Sequence, residues 1–255
     1  MPVPFEISFI RQAFRDTADQ DYIAARTLYR VGLDLQFLWA SLQAIEKYLK
    51  AILLYNGLSA RGLGHEVTAA YRRVLSISDI SFDFSEDLQP FLEYLEVYGQ
   101  NRYLQHPYFT HGEELVQLDR SVWQIRRYCQ YLRAEVTNRS GAKVNLLEAH
   151  LRSFQGKAFV DHPTRFRIFG GFLEGVIGDR HNPARPFLIW NNEYFGSPRR
   201  KRRVRSIWVR SVSVNPIHFL EPKVFSVLRG RVDFPRALLR HFDATTPNRR
   251  MKPIA

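Results

Sequence analysis

Apolar residues recur at three- and four-residue steps through the first half of the chain, the period of helices that bury one face. Over 7–31, Phe14, Ala18, Tyr22, Ala25 and Tyr29 form one stripe. Gly32 follows as a natural C-terminal stop, and Asp34 as the N-cap of a second helix. That helix, 34–56, carries a wide stripe of Leu35, Leu38, Trp39, Leu42, Ile45, Leu49, Ile52 and Leu53 and is closed by Gly57. Gln36, Gln43, Glu46, Lys47 and Lys50 lie mostly off the stripe, with Glu46 and Lys50 as a favourable i,i+4 pair. A turn at 58–64, a shorter helix at 66–76 and an irregular stretch at 77–84 come next. A helix at 86–98 presents Leu88, Phe91, Leu92, Leu95 and Tyr98. Residues 99–112 read as a polar, aromatic loop broken by Pro107 and Gly112. The pattern then predicts a long helix over 113–136 with Leu115, Leu118, Val122, Ile125, Cys129 and Leu132 on one face. These elements suffice for an antiparallel bundle of four or five helices.

The pattern changes after residue 137. A linker-like break at 138–142 precedes a short helix at 143–153 and strand-like runs at 165–172, 187–190 and 204–212. Short helices at 222–229 and 234–242 and a mobile tail at 244–255 complete the chain. The expected organisation is a mainly α protein: a helical bundle over 1–137 and a smaller, basic, mixed α+β extension over 138–255.

Charge sharpens this division. Residues 1–135 hold 14 Lys and Arg against 17 Asp and Glu, a balance of −3; the remainder holds 23 against 8, a balance of +15. Arginine supplies 30 of the 37 positive charges. Guanidinium groups favour bidentate phosphate contacts and stacking on bases, which points the basic part towards nucleic acid rather than a merely soluble surface. Five basic residues stand in a row, Arg199, Arg200, Lys201, Arg202 and Arg203, with Arg205 close behind. They lie between two strand-like runs, with Tyr194, Phe195 and Trp208 nearby as stacking surfaces. The alternative readings of this run are a solvated charge cluster or a contact with an acidic protein surface.

The single cysteine, Cys129, excludes an intramolecular disulfide framework and a cysteine-rich zinc site, and it falls in a helical apolar pattern. One thiol fits a reducing, cytoplasmic setting. The first residues lack the basic and apolar regions of a signal peptide, and no apolar run is long enough to span a membrane. The histidines show no metal-ligand spacing and there is no glycine-rich phosphate loop, so neither metal nor cofactor is expected.

Four pieces in order resemble the HEPN family (higher eukaryotes and prokaryotes nucleotide-binding) over about residues 8–135. These are 18–32 as a first helix ending in a glycine turn, the helix core 43–51 (QAIEKYLKA), Gly64-His65-Glu66, and Asn101-Arg102-Tyr103 before the last long helix. The resemblance implies a helical bundle, often a homodimer, and a link to toxin–antitoxin or antiviral systems. It implies an antitoxin or nucleotidyltransferase as a partner class, and RNA as substrate for the catalytic members. Others of the family are non-catalytic interaction modules.

The family's catalytic signature is an arginine, four to six residues, then a histidine, brought together in pairs across a dimer. The nearest candidates here are Arg102 and His106, followed by Tyr108, with three residues between arginine and histidine. Histidine can relay the 2′-hydroxyl proton and arginine can hold the scissile phosphate. The shorter gap changes side-chain direction by about 100° if the segment is helical, less in a loop. The competing reading is a loop arginine and a histidine that satisfies the bundle end. Arg236 and His241 have the family spacing, but about three such pairs are expected by chance at this composition. His65 reads as a hydrogen-bonding residue of the turn after the second helix.

Overall fold

The computed structural model describes residues 4–100, 108–110, 112–196, 210–213, 221–232, 234, 239–240 and 243. The fold is mainly helical, as the periodicity implies. A nearly continuous helical rod opens the chain: α1 (Pro4–Ile10), a π-helical segment (Arg11–Asp16) and α2 (Thr17–Arg30). Next come α3 (Asp34–Tyr55), α4 (Val67–Leu75), α5 (Leu88–Tyr98), a short strand β1 (Tyr108–Thr110) and α6 (Glu114–Arg126). The central α3 packs against α2, α4, α5 and α6. Its Phe37, Leu38, Leu42, Ile45, Leu49, Ile52 and Leu53 have no solvent exposure. Leu35 and Trp39 lie at the edge of the stripe, partly buried. The helix ends at Gly57 (φ 72°), where Leu58 N–H reaches back to Leu53 O at 2.9 Å and Gly57 N–H to Leu54 O at 3.0 Å. A left-handed residue is needed there to turn the last amides onto free carbonyls. The stop at Gly32 is built in the same way, by Leu33 N–H on Leu28 O at 2.9 Å.

Several sequence expectations change. The helix expected over 113–136 stops at Arg126. Beyond it Tyr128 and Cys129 make i,i−3 bonds to Ile125 and Arg126, which tighten the chain while Cys129 and Leu132 stay buried. The tighter turn lets the Arg127 guanidinium donate to Phe154 O at 3.1 Å and Asp83 O at 2.8 Å. The apparent linker at 138–142 is the turn of a hairpin between β2 (Glu135–Thr137) and β3 (Lys143–Asn145). Asn138 Oδ1 closes it by accepting from the N–H groups of Ser140 and Ala142.

No strand forms over 165–172. That stretch holds the end of a 3₁₀ turn (Pro163–Arg165), an irregular loop and the start of α9 (Phe172–Gly178), after α7 (Leu147–Phe154) and α8 (Lys157–Asp161). Residues 187–190 belong to a helix and its cap, α10 (Arg185–Ile189), instead of a strand. Four apolar residues are too few for periodicity to separate the two, and Pro186 in the first turn favours the helix. Within the loop expected at 99–112, residues 108–110 form β1. It pairs antiparallel with β4 (Arg210–Ser213), Tyr108 opposite Ser213 and Thr110 opposite Arg210. The helix α11 (Pro222–Arg229) occupies its expected span. The basic run at 199–203, most of the helix expected at 234–242 and the tail at 244–255 lie outside the described residues.

Residues 147–196 pack on the α2 and α6 side of the bundle. Phe154, Leu173, Val176, Leu188 and Phe195 are buried in the same core cluster as α3. Two buried arginines hold this segment down. Arg126, 1% exposed, chelates Asp19 (Nε–Oδ1 2.7 Å, Nη2–Oδ2 2.9 Å) and Glu174 (Nη1–Oε1 2.8 Å, Nη2–Oε2 2.8 Å). Arg26 pairs with Asp119 and donates to Phe187 O (3.0 Å) and Trp190 O. Burial alone would lower the Arg126 pKa and raise that of Glu174. The mutual charges win in both, so the guanidinium is held well above its ordinary value and the Glu174 carboxyl below its own.

Replacing Arg126 with alanine leaves Asp19 and Glu174 facing each other without a cation. The expected loss is about 3–5 kcal/mol in a urea unfolding titration.

Candidate nucleic-acid interface

Backbone pairing joins two described stretches that flank the sequence candidates, Tyr108–Thr110 and Arg210–Ser213. α5 ends at Tyr98 and α6 begins at Glu114, so the stretch containing Arg102, His106 and Tyr108 joins these two core helices. Arg102 and His106 lie outside the described residues. Tyr108 opens β1, and its backbone pairs with Ser213. The β1–β4 ribbon ties the exit of this stretch to the arginine-rich half of the chain. Arg199, Arg200, Lys201, Arg202, Arg203 and Arg205, which precede β4, lie outside the described residues, as do Arg236 and His241. After β1 the chain enters α6 through Gly112, whose N–H donates to Glu114 Oε2 at 2.9 Å and whose carbonyl faces Tyr29 Oη at 3.5 Å. Thr110 is buried. The ribbon's exit is therefore anchored on α2 and α6.

The QAIEKYLKA helix core and the Gly64-His65 turn meet in one cluster. His65 Nδ1–H donates to Glu46 Oε2 at 2.7 Å. Lys50 Nζ bridges Glu46 Oε1 (2.6 Å) and Gly64 O (2.8 Å). Gln43 Nε2 stands 3.4 Å from His65 Nδ1, and Trp39 meets the imidazole edge-on, ring centroids 5.5 Å apart. Lys50 already neutralises Glu46, and the His65 side chain is 49% exposed. The arrangement clamps the α3–α4 turn onto α3, which gives the most recognisable stretch of the sequence a structural task. Arg61 in the same turn is exposed.

The other reactive groups are accounted for by packing. Cys129 has no exposure, its Sγ lies 3.3 Å from Tyr48 O, and burial pushes its thiol far up from the ordinary range. Tyr48 donates to Asp19 (2.5 Å) and Tyr22 to Asp119 (2.6 Å); burial first, and then the facing carboxylate, raise both phenols. His150 Nδ1–H donates to Leu132 O at 2.7 Å. Among the described residues no group of three or more His, Cys, Asp or Glu side chains converges to hold a metal, and no helix is long and apolar enough to cross a membrane.

Sequence reasoning missed one exposed element. Arg165, Phe166, Arg167, Ile168 and Phe169 alternate like a strand, yet they form a loop that turns at Gly170 and Gly171. The adjacent glycines were the signal for a turn.

These features define a helical-bundle protein whose last bundle helix is preceded by a two-stranded ribbon that reaches the basic half of the chain. Residues 12–127, a little under half of the chain, match the family model described as HEPN domain. The match starts in the π-helical segment, spans α2 to α6 and includes the stretch with Arg102, His106 and Tyr108. Neither a curated protein nor a solved structure matches the chain. A HEPN domain points to a nucleotide- or RNA-related function.

If His65 is a clamp, His65→Ala lowers stability by about 1 kcal/mol and speeds amide exchange in the α3–α4 turn. RNA affinity of this variant, measured in parallel, stays at the wild-type value.

Proposed function

We propose that this protein is an RNA-associated HEPN protein of toxin or defence type acting in the cytoplasm, and that its enzymatic form is a metal-independent endoribonuclease. The supporting observation is the β1–β4 pairing, which ties the stretch after Arg102 and His106 to the arginine-rich half inside one ribbon. In this reading, 1–137 is the working bundle and 138–255 supplies affinity for the polyanion.

His106 accepts the proton of a ribose 2′-hydroxyl, whose oxygen attacks the adjacent phosphorus. Arg102 neutralises the phosphate as the bond to the 5′-oxygen breaks, and Tyr108 orients it. The leaving 5′-oxygen takes a proton from the second site of a homodimer, and the products are a cyclic phosphate and a 5′-hydroxyl. Arg199, Arg200, Lys201, Arg202, Arg203 and Arg205 contact neighbouring phosphates.

A second reading is a non-catalytic HEPN module that docks a protein, such as an antitoxin or nucleotidyltransferase, or nucleic acid through its basic part. One observation favours it: the Arg102–His106 gap is one residue short of the catalytic signature.

In an RNA-degradation assay with metal chelated, His106→Ala is expected to cut about 10²–10⁴ times more slowly than wild type. Equal rates would remove His106 from the chemistry. Changing the five residues at 199–203 to serine should flatten the slope of log affinity against log salt by about 3.5 for single-stranded RNA. An unchanged slope means that they do not contact phosphate.

A further inference from the structure

Phe169 has a relative exposure of 104%, the highest of any large apolar residue described. A phenylalanine so placed forgoes about 1.5–3 kcal/mol of burial. A single exposed ring is ordinary on a protein surface, and this one is set apart by the way its loop is held and by the arginines beside it. The loop that carries it is firmly held. Ile168 N–H donates to Glu174 Oε1 at 2.9 Å, and Glu174 is itself chelated by the buried Arg126. Gly171 N–H closes the turn onto Ile168 O at 3.0 Å, and Gly170 takes a φ of 65°. Gly171 leaves no room for a side chain: an added Cβ would run into Glu174 Oε2 and lie 2.9 Å from Arg126 Nη2.

The flanking side chains alternate in direction. Phe166 packs edge-on against Phe154 (5.6 Å) and Phe159 (6.4 Å), and Ile168 is buried. Arg165, Arg167 and Phe169 are exposed. Neither arginine has an ion-pair partner among the described residues, and the carboxylate beside the loop, Glu174, is taken by Arg126. Arg167 also lines a small cavity with Thr164, Tyr194 and Gly196. From Gly196 the chain runs on to Arg199 within three residues.

We infer that Phe169, Arg165 and Arg167 form a contact for single-stranded RNA, in which one base stacks on the Phe169 ring and the two guanidinium groups meet the flanking phosphates. This deepens the proposed RNA association and rests on it. One exposed aromatic ring beside two arginines that have no ion-pair partner among the described residues suits a base with its phosphates. A lipid surface or a protein hot spot calls for several apolar neighbours, and the other outward positions of this loop are Arg165, Arg167 and Gly170. The contact lies outside the HEPN stretch, on the segment clamped to the bundle by Arg26 and Arg126.

The test uses the full chain and a fluorescent oligouridylate of about 12 nucleotides. Phe169→Ala should weaken binding about tenfold with the salt slope unchanged, and Phe169→Trp should restore affinity and add a tryptophan whose emission the RNA quenches. Arg165→Ser with Arg167→Ser should flatten the slope by about 1.4. Phe169 makes no core contact, so an unchanged melting temperature confirms folding of the variants. If wild type binds the RNA and Phe169→Ala binds it equally, the stacking contact is wrong while RNA association stands. If wild type binds no RNA, both are wrong. Loss of binding to anionic lipid vesicles by Phe169→Ala, with RNA binding intact, overturns the contact in favour of a membrane surface.

Discussion

The chelation of Asp19 and Glu174 by Arg126 is the interaction on which the rest of the structure depends. It joins three elements far apart in sequence: α2, α6 and α9. Taking a guanidinium and two carboxylates out of water is costly, and only a fully bonded arrangement repays it. Here each carboxylate meets the arginine through two bonds. Tyr48 adds a donor to Asp19, and Ile168 N–H adds one to Glu174. An apolar contact could hold the same segment down in many ways. This one ties named atoms of three elements to one another through directional bonds.

The consequence reaches the surface. Arg126 and Arg26 settle residues 147–196 on the α2/α6 side, and one bond of the same network, Glu174 to Ile168 N–H, shapes the loop that exposes Phe169. A polar bond of the interior thus reaches a surface loop whose exposed side chains are Arg165, Arg167 and Phe169. At the other end of α6, the β1–β4 ribbon links the stretch before that helix to the basic half.

The helical half was legible because periodic burial speaks directly through residue spacing. The α3 stripe, the stops at Gly32 and Gly57 and the span of α11 follow from local rules. The HEPN likeness was legible in QAIEKYLKA and Gly64-His65, and the structure gives these residues a clamp to build. The stretch 165–172 and residues 187–190 misled, since alternation and short apolar runs do not distinguish a strand from a pinned loop or a short helix. Of the candidate site, the sequence offered the residue types and their order. The pairing of β1 with β4 was not legible, because strands of three and four residues carry almost no pattern.

The buried arginines divide what each level decided. By itself the sequence determined the bundle helices α2 to α5, the stops at Gly32 and Gly57, the charge imbalance and the family resemblance, and the helices and stops depend on neighbours a few residues apart. Only the tertiary structure decided that Arg26 and Arg126 face inward. An arginine in an amphipathic helix reads as solvent-facing unless a carboxylate waits opposite it, and here the partners stand 93, 107 and 48 residues away along the chain. The cost of burying charge makes such contacts depend on the whole fold, so no local window could have announced them.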